Sequence, residues 1–217
     1  MITEEAFREE INELAQQGTD IDPQPLHFRV FQPKETLMSG LRVVMHHEVE
    51  WLKEYDEVAD WLSDNKGKGL FLIGPVGVGK TEICMKVIPI IFLRLFKLTI
   101  SRMSSTDIVT HEKYSTAIST TLIVIDDVGA EGMYNDYGTM HNVFSEVVDR
   151  TERNGVLLIA TTNLNDEELR EKYGERTMDR IRANMRIIIL DEQSLRGRYA
   201  KNNRRSEERR VGKECRS

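Results

Sequence analysis

The feature that most constrains this chain is the octapeptide Gly-Pro-Val-Gly-Val-Gly-Lys-Thr at residues 74–81. It fits the pattern G-x-x-x-x-G-K-[ST], a loop whose backbone N–H groups wrap around phosphate. The short apolar run GKGLFLI precedes the loop, and TEICMKVIPIIFLRLF, with apolar residues at helical spacing, begins at its last residue. Strand, loop and helix in this order are the context that the motif requires, although Pro89 is expected to kink the helix. The sequence therefore predicts a nucleotide-binding α/β fold.

The loop and a later acidic pair predict how ATP and Mg²⁺ would be held. Lys80 can reach the β- and γ-phosphates, and the Thr81 hydroxyl can ligate Mg²⁺. Asp126 directly follows the run LIVI, at the carboxyl end of a predicted buried strand, where it can hold the Mg²⁺ shell through water or Thr81. Asp127 and Glu131 are the candidates for the group that polarises the attacking water. The predicted nucleotide contacts are those of the whole loop: Gly74, Pro75, Val76, Gly77, Val78, Gly79, Lys80 and Thr81.

A second polar cluster ends the fourth predicted strand, at Thr161-Thr162-Asn163. An amide at Asn163 can orient a water molecule between the γ-phosphate and the base. Several arginines surround the last predicted strand, at positions 176, 180, 182, 186, 196 and 198. Arginine is the residue that a neighbouring subunit inserts to stabilise charge in phosphoryl transfer. A solvated basic face is the alternative interpretation for at least two of these positions.

The periodicity along the chain predicts the remaining elements. Glu4–Gln16 is expected to form a short amphipathic helix, residues 18–34 a loop with an extended patch at 27–31, and residues 35–63 a long helix with a break near Gly40. Strands are expected at 98–103, 121–125, 156–161 and 185–190, and helices at 107–117, at 137–154 and from 166. Continuous apolar strands that alternate with helices imply a parallel sheet covered on both faces.

Composition narrows the class of protein. No apolar run reaches the roughly 18 residues of a membrane span, and the acidic N-terminus MITEEAFREE does not resemble a signal peptide. The two cysteines cannot form a disulfide framework, which favours a cytoplasmic protein, and the five histidines lack metal-ligand spacing. With a net charge of −6 and no strong basic stripe, composition does not indicate direct DNA binding.

The C-terminal segment RSEERRVGKECRS, residues 205–217, is unlike the rest of the chain. It is polar and aperiodic, and residues 205–215 match one translation frame of a common sequencing adapter. We interpret the segment as an artefact that takes no part in the fold, with a genuine basic tail as the alternative. The predicted organisation is thus an N-terminal helical, partner-binding segment at 1–65, an ATPase core at 66–204 and a tail at 205–217.

The motifs GPVGVGKT, LIVIDDVGAE, TTNLNDEELREKYGERTMDRI and SLRGR stand in the order and spacing of bacterial helicase-loader ATPases. Over about residues 67–198 the chain resembles the DnaC/DnaI type of the AAA+ superfamily. The resemblance implies a five-stranded parallel sheet of order 5-1-4-3-2 with helices on both faces. It also implies self-assembly in the ATP state, on single-stranded DNA or on a replicative helicase. By this resemblance, Lys80 and Thr81 are the Walker A pair, and Asp126 and Asp127 are the Walker B pair. Asn163 is the first sensor. Arg180 is the arginine finger acting in trans, and Arg196 is the second sensor.

The chain departs from that family in three places. Asp127 stands where many AAA+ proteins have glutamate, so hydrolysis is expected to be slow or to be assisted by Glu131. The stretch between the second and third strands is short, which leaves little room for a DNA-contacting loop. Only residues 191–204 follow the last strand before the tail, too few for a full helical lid. The N-terminal part contains no cysteine and therefore resembles no zinc-bearing loader extension.

The leading hypothesis is a Mg²⁺-dependent ATPase that loads or remodels a replicative helicase on single-stranded DNA. A transposase-helper ATPase of the IstB type shares the same core and is the first alternative. A nucleotide-gated interaction module with negligible turnover is the second. A small-molecule P-loop kinase is disfavoured, because it needs a lid and an acceptor site that the sequence does not offer.

Overall fold

A central parallel sheet organises the protein. In the computed structural model, which describes residues 3–18, 23–45 and 49–190, this sheet has the order β2-β3-β6-β1-β7. The strands are β1 (Gly69–Ile73), β2 (Ser101–Ser104), β3 (Leu122–Val128), β4 (Tyr134–Asp136), β5 (Thr139–His141), β6 (Leu157–Thr162) and β7 (Met185–Ile189). Strands β4 and β5 form a separate antiparallel pair. Counted along the chain, the five sheet strands therefore have the predicted order 5-1-4-3-2, which is confirmed.

Helices cover both faces of the sheet. They are α1 (Glu4–Gln16), α2 (Pro33–Met45), α3 (Lys53–Ser63), α4 (consecutive segments Glu82–Val87, Ile88–Ile91 and Phe92–Phe96), α5 (His111–Ser119), α6 (Val143–Arg153) and α7 (Asp166–Asn184). Side chains alternate across β1, so that Leu70 and Leu72 pack with α2, α3 and α4, while Phe71 packs with α5, α6 and α7. The α/β class with two covered faces is confirmed. Within the described parts of the chain, no helix combines the length and apolar character needed to cross a membrane.

The N-terminal part is built differently from the expectation. The single helix predicted over residues 35–63 is instead two helices, and the break lies between Met45 and Lys53 rather than near Gly40. Gly40 remains helical because it is the point where α2 meets α4: a Cβ at this position would lie 2.5 Å from the Cγ1 of Val87. Helices α2 and α3 share one core with β1 and α4, so packing continues across the boundary expected near residue 65.

Helix α4 accommodates Pro89 by widening. The Ile88 N–H donates to the Ile83 carbonyl, the i−5 partner of a π-type turn. Proline has no N–H for the Met85 carbonyl at i−4, and that oxygen accepts a hydrogen bond from Arg102 Nη1 at 2.9 Å. The helix thus continues through the proline.

The β4–β5 hairpin was not predicted, because residues 137–154 were expected to form one helix. Its turn is Tyr137-Gly138, and both residues have positive φ (47° and 98°), as a two-residue hairpin turn requires. Helix α6 begins only after Asn142, whose Oδ1 accepts from the Ser145 N–H at 3.1 Å. The turn signal was a tyrosine before glycine rather than the usual asparagine, and the helical spacing further along outweighed it.

Candidate functional site

The phosphate-binding loop joins β1 to α4 at the carboxyl edge of the sheet, as the topology requires. Beside it lies an open cavity of about 520 Å³. The cavity gathers side chains and backbone from the loop, α2, β3 and β6: Met45, Val76, Gly77, Gly79, Lys80, Thr81, Glu82, Asp126, Asp127, Thr161 and Asn163. The structure therefore brings together at one site most of the loop and the polar residues predicted on the two neighbouring strands.

Lys80 is buried, and its ammonium is fully engaged within the site. Nζ donates to the carbonyls of Gly74 at 2.6 Å and Pro75 at 2.8 Å, and to Asn163 Oδ1 at 2.8 Å. Burial lowers the pKa of Lys80, while the charges of Asp127 and Asp126 oppose that shift. The ammonium thus bridges the loop and β6, and phosphate oxygens would compete for the same donors.

Thr81, the last residue of the loop, and Asp126 at the end of β3 form an oxygen-rich corner. The Thr81 hydroxyl lies 3.1 Å and 3.0 Å from the two carboxylate oxygens of Asp126. Hydroxyl and carboxylate oxygens are the hard ligands that Mg²⁺ takes, usually one or two from the protein with the rest from water and phosphate. Among the residues that the structure describes, no group of three His, Cys, Asp or Glu side chains could enclose a metal alone. The donor set fits a magnesium ion shared with a nucleotide.

A local distortion of β3 sets the direction of the Asp127 side chain. The pairing of β3 with β6 shifts register between Ile125 and Val128, and Asp127 adopts a left-handed φ of 58°. Such a backbone costs about 1–3 kcal/mol and persists only where its surroundings hold it. The Asn163 amide donates to Asp127 Oδ1 at 2.5 Å, and the Ser105 hydroxyl donates to the Asp127 carbonyl at 2.6 Å. The bulge places the carboxylate beside Asn163, facing the cavity.

Thr161 links the two aspartates, a role that the sequence analysis did not assign. Its hydroxyl donates to Asp126 Oδ1 at 2.6 Å and accepts from the Asp127 N–H at 2.9 Å. Thr161 was noted only as part of T-T-N. The available signal was the predicted strand order, which makes β3 and β6 neighbours and brings the residues at their carboxyl ends side by side. Met45, which lines the cavity from the end of α2, carried no such signal.

Glu131 is not among the residues that line the cavity. It is buried, with Oε2 accepting from the Gly129 N–H at 2.8 Å and Oε1 accepting a short hydrogen bond from the Tyr173 hydroxyl. Burial raises the pKa of Tyr173, and its hydrogen bond to the Glu131 carboxylate raises it further. Lys172 Nζ adds bonds to the carbonyls of Gly129 and Glu131 at 2.5 Å and 2.8 Å. These contacts attach the segment after β3 to α7.

Arg180 is placed otherwise than expected. As a finger for a neighbouring subunit it was expected to be exposed and without a partner, but its side chain is only 18% exposed. Nη1 binds Asp149 at 2.6 Å and Nε binds Glu152 at 2.8 Å. The hydrogen bond that Arg180 donates to Glu152 is the largest cause of the raised pKa of Arg180. The expectation of a free side chain was wrong, because the two acids lie one turn apart on α6, which packs against α7.

The other arginines predicted around the last strand differ in their surroundings. Arg176, one turn before Arg180, is 71% exposed and comes only within 3.9 Å of Asp149. Arg182 is tied to Asp166, Glu175 and Asp179, in keeping with a solvated charged face. Arg196 and the tail at 205–217 lie outside the described residues.

Comparisons with known proteins agree with this architecture. The family described as ATPase family associated with various cellular activities (AAA) matches residues 70–187. A search of curated proteins gave no match. A crystal structure of DnaI is similar at 19% identity with a TM-score of 0.51, covering 75% of this chain and 96% of that one. A crystal structure of the DnaC helicase loader is similar at 18% identity with a TM-score of 0.46, covering 75% and 93%.

AMPPCP-bound DnaA from Aquifex aeolicus is similar at 17% identity with a TM-score of 0.44, covering 75% of this chain and 48% of that one. At these identities the likeness to DnaI concerns the fold alone, whereas the family match extends over more than half of the chain. It runs from the second residue of β1 into β7 and so encloses the phosphate-binding loop, both aspartates and Asn163. The chain belongs to the AAA family of ATPases.

Proposed function

We propose that this chain binds ATP with Mg²⁺ in the cavity beside the phosphate-binding loop and hydrolyses it. The observation that carries the proposal is the convergence of three functions in one cavity. Lys80 brings an ammonium for phosphate, and Thr81 with Asp126 brings a hydroxyl and a carboxylate for Mg²⁺. Asp127 adds a second carboxylate, which is bonded to the Asn163 amide.

Each of these side chains has a separate task. Lys80 exchanges its bonds to the Gly74 and Pro75 carbonyls for phosphate oxygens, while it can keep Asn163 in place. Thr81 and Asp126 are the residues that would hold Mg²⁺, which neutralises charge on the β- and γ-phosphates when bound. Asp127 accepts the proton of the attacking water, and Asn163 orients that water.

Hydrolysis is proposed to be slow without a neighbouring subunit. The aspartate is one methylene shorter than the glutamate common at this position, and its carboxylate is already bonded to Asn163. No arginine lines the cavity within the described ranges 3–18, 23–45 and 49–190. We therefore assign completion of the site to an arginine from a second copy, with Arg180 as the first candidate.

We further propose that the ATPase acts in DNA replication, loading or remodelling a replicative helicase on single-stranded DNA. The motif block from residue 161 to residue 181 supports this role, and the shared fold with DnaI is consistent with it. A nucleotide-gated module with negligible turnover is the second candidate, and the short, amide-bonded Asp127 is the observation that favours it. The transposase-helper role shares every feature of the site.

The test is ATP binding and MgATP turnover of the purified chain, alone and with a hexameric replicative helicase from the same source. Turnover that the helicase and single-stranded DNA raise, and that Lys80→Ala removes together with ATP binding, is the expected result. Tight ATP binding without turnover under every condition would favour the gated module. Stimulation by a transposase but not by a helicase would move the role to transposition. Unchanged nucleotide affinity in Lys80→Ala would remove the site assignment itself.

A further inference from the structure

The far end of helix α4 presents an apolar and basic surface that the core does not use. Ile90 and Leu93, one turn apart, are each 56% exposed, and Leu95 and Leu98 are exposed beyond them. Such a concentration of large exposed aliphatic side chains marks a contact surface in a soluble protein. We call these four residues, with the cations that flank them, the α4 patch.

The charge around the patch has one sign. Residues 83–106 contain Lys86, Arg94, Lys97 and Arg102 and no acidic residue, and of these cations only Lys86 is ion-paired among the described residues, with Glu82 one turn earlier. The side chains of Arg94 and Lys97 form no ion pair within the described chain, and Arg102 and Lys97 donate only to the backbone carbonyls of Met85 and Arg94. A partner for this surface must therefore supply both apolar side chains and negative charge.

Helix α1 of this same protein has that complementary chemistry. Its apolar side chains Phe7, Ile11 and Leu14 recur at helical spacing, and none of its described residues is buried. Its charged residues are acidic except for Arg8: Glu4, Glu5, Glu9, Glu10 and Glu13. An amphipathic helix of this kind gains stability by laying its apolar face on a groove or helix that matches it.

The path of the chain favours a neighbouring molecule over the helix's own α4. Phe28 packs against Phe92 and Phe96 at the end of α4. From there toward the N-terminus, Pro25 lies against Gly67, and the carbonyls of Pro23 and Gln24 lie against Gly155, where α6 leads into β6. Residues 23–25 thus lie at the edge of the sheet where α6 leads into β6, and α6 covers the face opposite α4.

We propose that α1 of one copy docks on the α4 patch of a second copy. Apolar contact by Phe7, Ile11 and Leu14 covers Ile90 and Leu93, and the glutamates of α1 face Arg94 and Lys97. Nucleic acid would satisfy the cations but would leave the aliphatic side chains exposed. Because α4 begins at the phosphate-binding loop, the docked helix lies on the same element that holds the nucleotide. The contact does not rest on ATP hydrolysis, so Lys80→Ala should retain it even if the proposed function fails.

The test is self-association of the full chain, measured by sedimentation across a range of concentrations. Leu93→Ser and Phe7→Ser should each weaken association about tenfold or more, as central apolar contacts do. Val43→Ser, which changes an even more exposed aliphatic residue on α2, should have no effect. These positions are exposed, so the variants are expected to fold, and thermal unfolding checks this.

Charge exchange provides a second test. Glu9→Lys with Glu13→Lys should weaken association, as should Arg94→Glu with Lys97→Glu, and a mixture of the two variants should recover it through the exchanged pair. Lys113→Glu and Glu171→Lys, exposed charges elsewhere, serve as the matched controls.

A wild-type chain that stays monomeric at all concentrations would overturn the proposal. Unchanged association of the patch variants, or recovery only when both changes are in one chain, would do the same. Loss of binding to anionic phospholipid vesicles as the sole effect would assign the patch to a membrane surface instead.

Discussion

At the scale of single residues, the site depends on one threonine that holds two aspartates in different roles. The Thr161 hydroxyl donates a hydrogen bond to the Asp126 carboxylate and accepts one from the Asp127 N–H. The first bond orients the proposed metal ligand, and the second holds the bulge that turns Asp127 into the cavity. Because β6 lies between β1 and β3, Thr161 also stands next to the strand that leads into the loop.

Thr161→Val tests this role, since it keeps a β-branched residue of similar size in the strand and removes both hydrogen bonds. The loss of the bonds should reduce MgATP turnover and raise the Mg²⁺ concentration required for half-maximal activity. The stability cost should be about 1–3 kcal/mol, because the partners are left unsatisfied in a partly buried site. Thr151→Val, which also removes a buried hydroxyl but lies on α6, should cost stability without changing the Mg²⁺ requirement.

Asp127→Asn and Glu131→Gln separate the two candidate bases. Asp127 faces the cavity beside Asn163, so its amide variant should bind ATP normally and hydrolyse it slowly. Glu131 is buried against Tyr173 and Gly129, so its amide variant should lower the unfolding temperature and leave turnover per folded molecule nearly unchanged. The comparison needs single-turnover rates, nucleotide affinity and thermal unfolding of both variants. Turnover lost only in Glu131→Gln would reverse the assignment.

At the scale of elements, the contact between α2 and α4 shows how packing overrides local preference. Glycine is a poor helix residue, and it was expected to break the helix at residue 40. It stays helical because the backbone of α2 approaches α4 so closely that the Val87 side chain occupies the place of a Cβ. The actual break lies between Met45 and Lys53, and no glycine or proline marks this stretch.

Gly40→Ala should therefore destabilise the protein despite the better helix propensity of alanine. The propensity gain is about 1 kcal/mol, whereas forcing an extra methyl into a packed interface costs about 1–3 kcal/mol. In a Val87→Ala background the space exists, and the same substitution should become neutral or stabilising. Urea unfolding of the four combinations measures the coupling. Additive effects would show that the contact does not constrain α2.

The parallel sheet with two covered faces could be predicted because apolar runs and the phosphate-binding loop are local signals, whereas the strand order came from the resemblance to the DnaC/DnaI type. The dependence of these predictions on local signals also explains which features were not predicted. The β4–β5 hairpin was hidden by helical spacing downstream, and its Tyr137-Gly138 turn lacks the usual asparagine. Lys80, Thr81, Asp126 and Asn163 were named from their places at strand and helix ends. Thr161, Met45 and the burial of Glu131 follow from contacts between distant segments, which periodicity does not contain.

At the scale of the whole molecule, the question is how an arginine already paired in its own subunit could serve another. Arg180 binds Asp149 and Glu152, whose side chains are 29% and 57% exposed. Ion pairs between partly exposed groups are screened by water and contribute little to stability. A γ-phosphate presented by a neighbouring subunit is a competing anion of higher charge, so the cost of releasing the guanidinium is small.

Arg180→Ala should accordingly leave ATP binding intact and remove most hydrolysis, by roughly 10³–10⁵-fold if it acts as arginine fingers do elsewhere. Arg182→Ala removes a comparably ion-paired arginine from the same helix and is the matched control. Arg176→Ala tests the exposed neighbour, and loss of hydrolysis in this variant alone would transfer the role to Arg176. Mixing Arg180→Ala with Asp127→Asn should restore part of the activity, because some interfaces then combine an intact finger with an intact base. Failure of every such mixture to recover turnover would show that each subunit works alone.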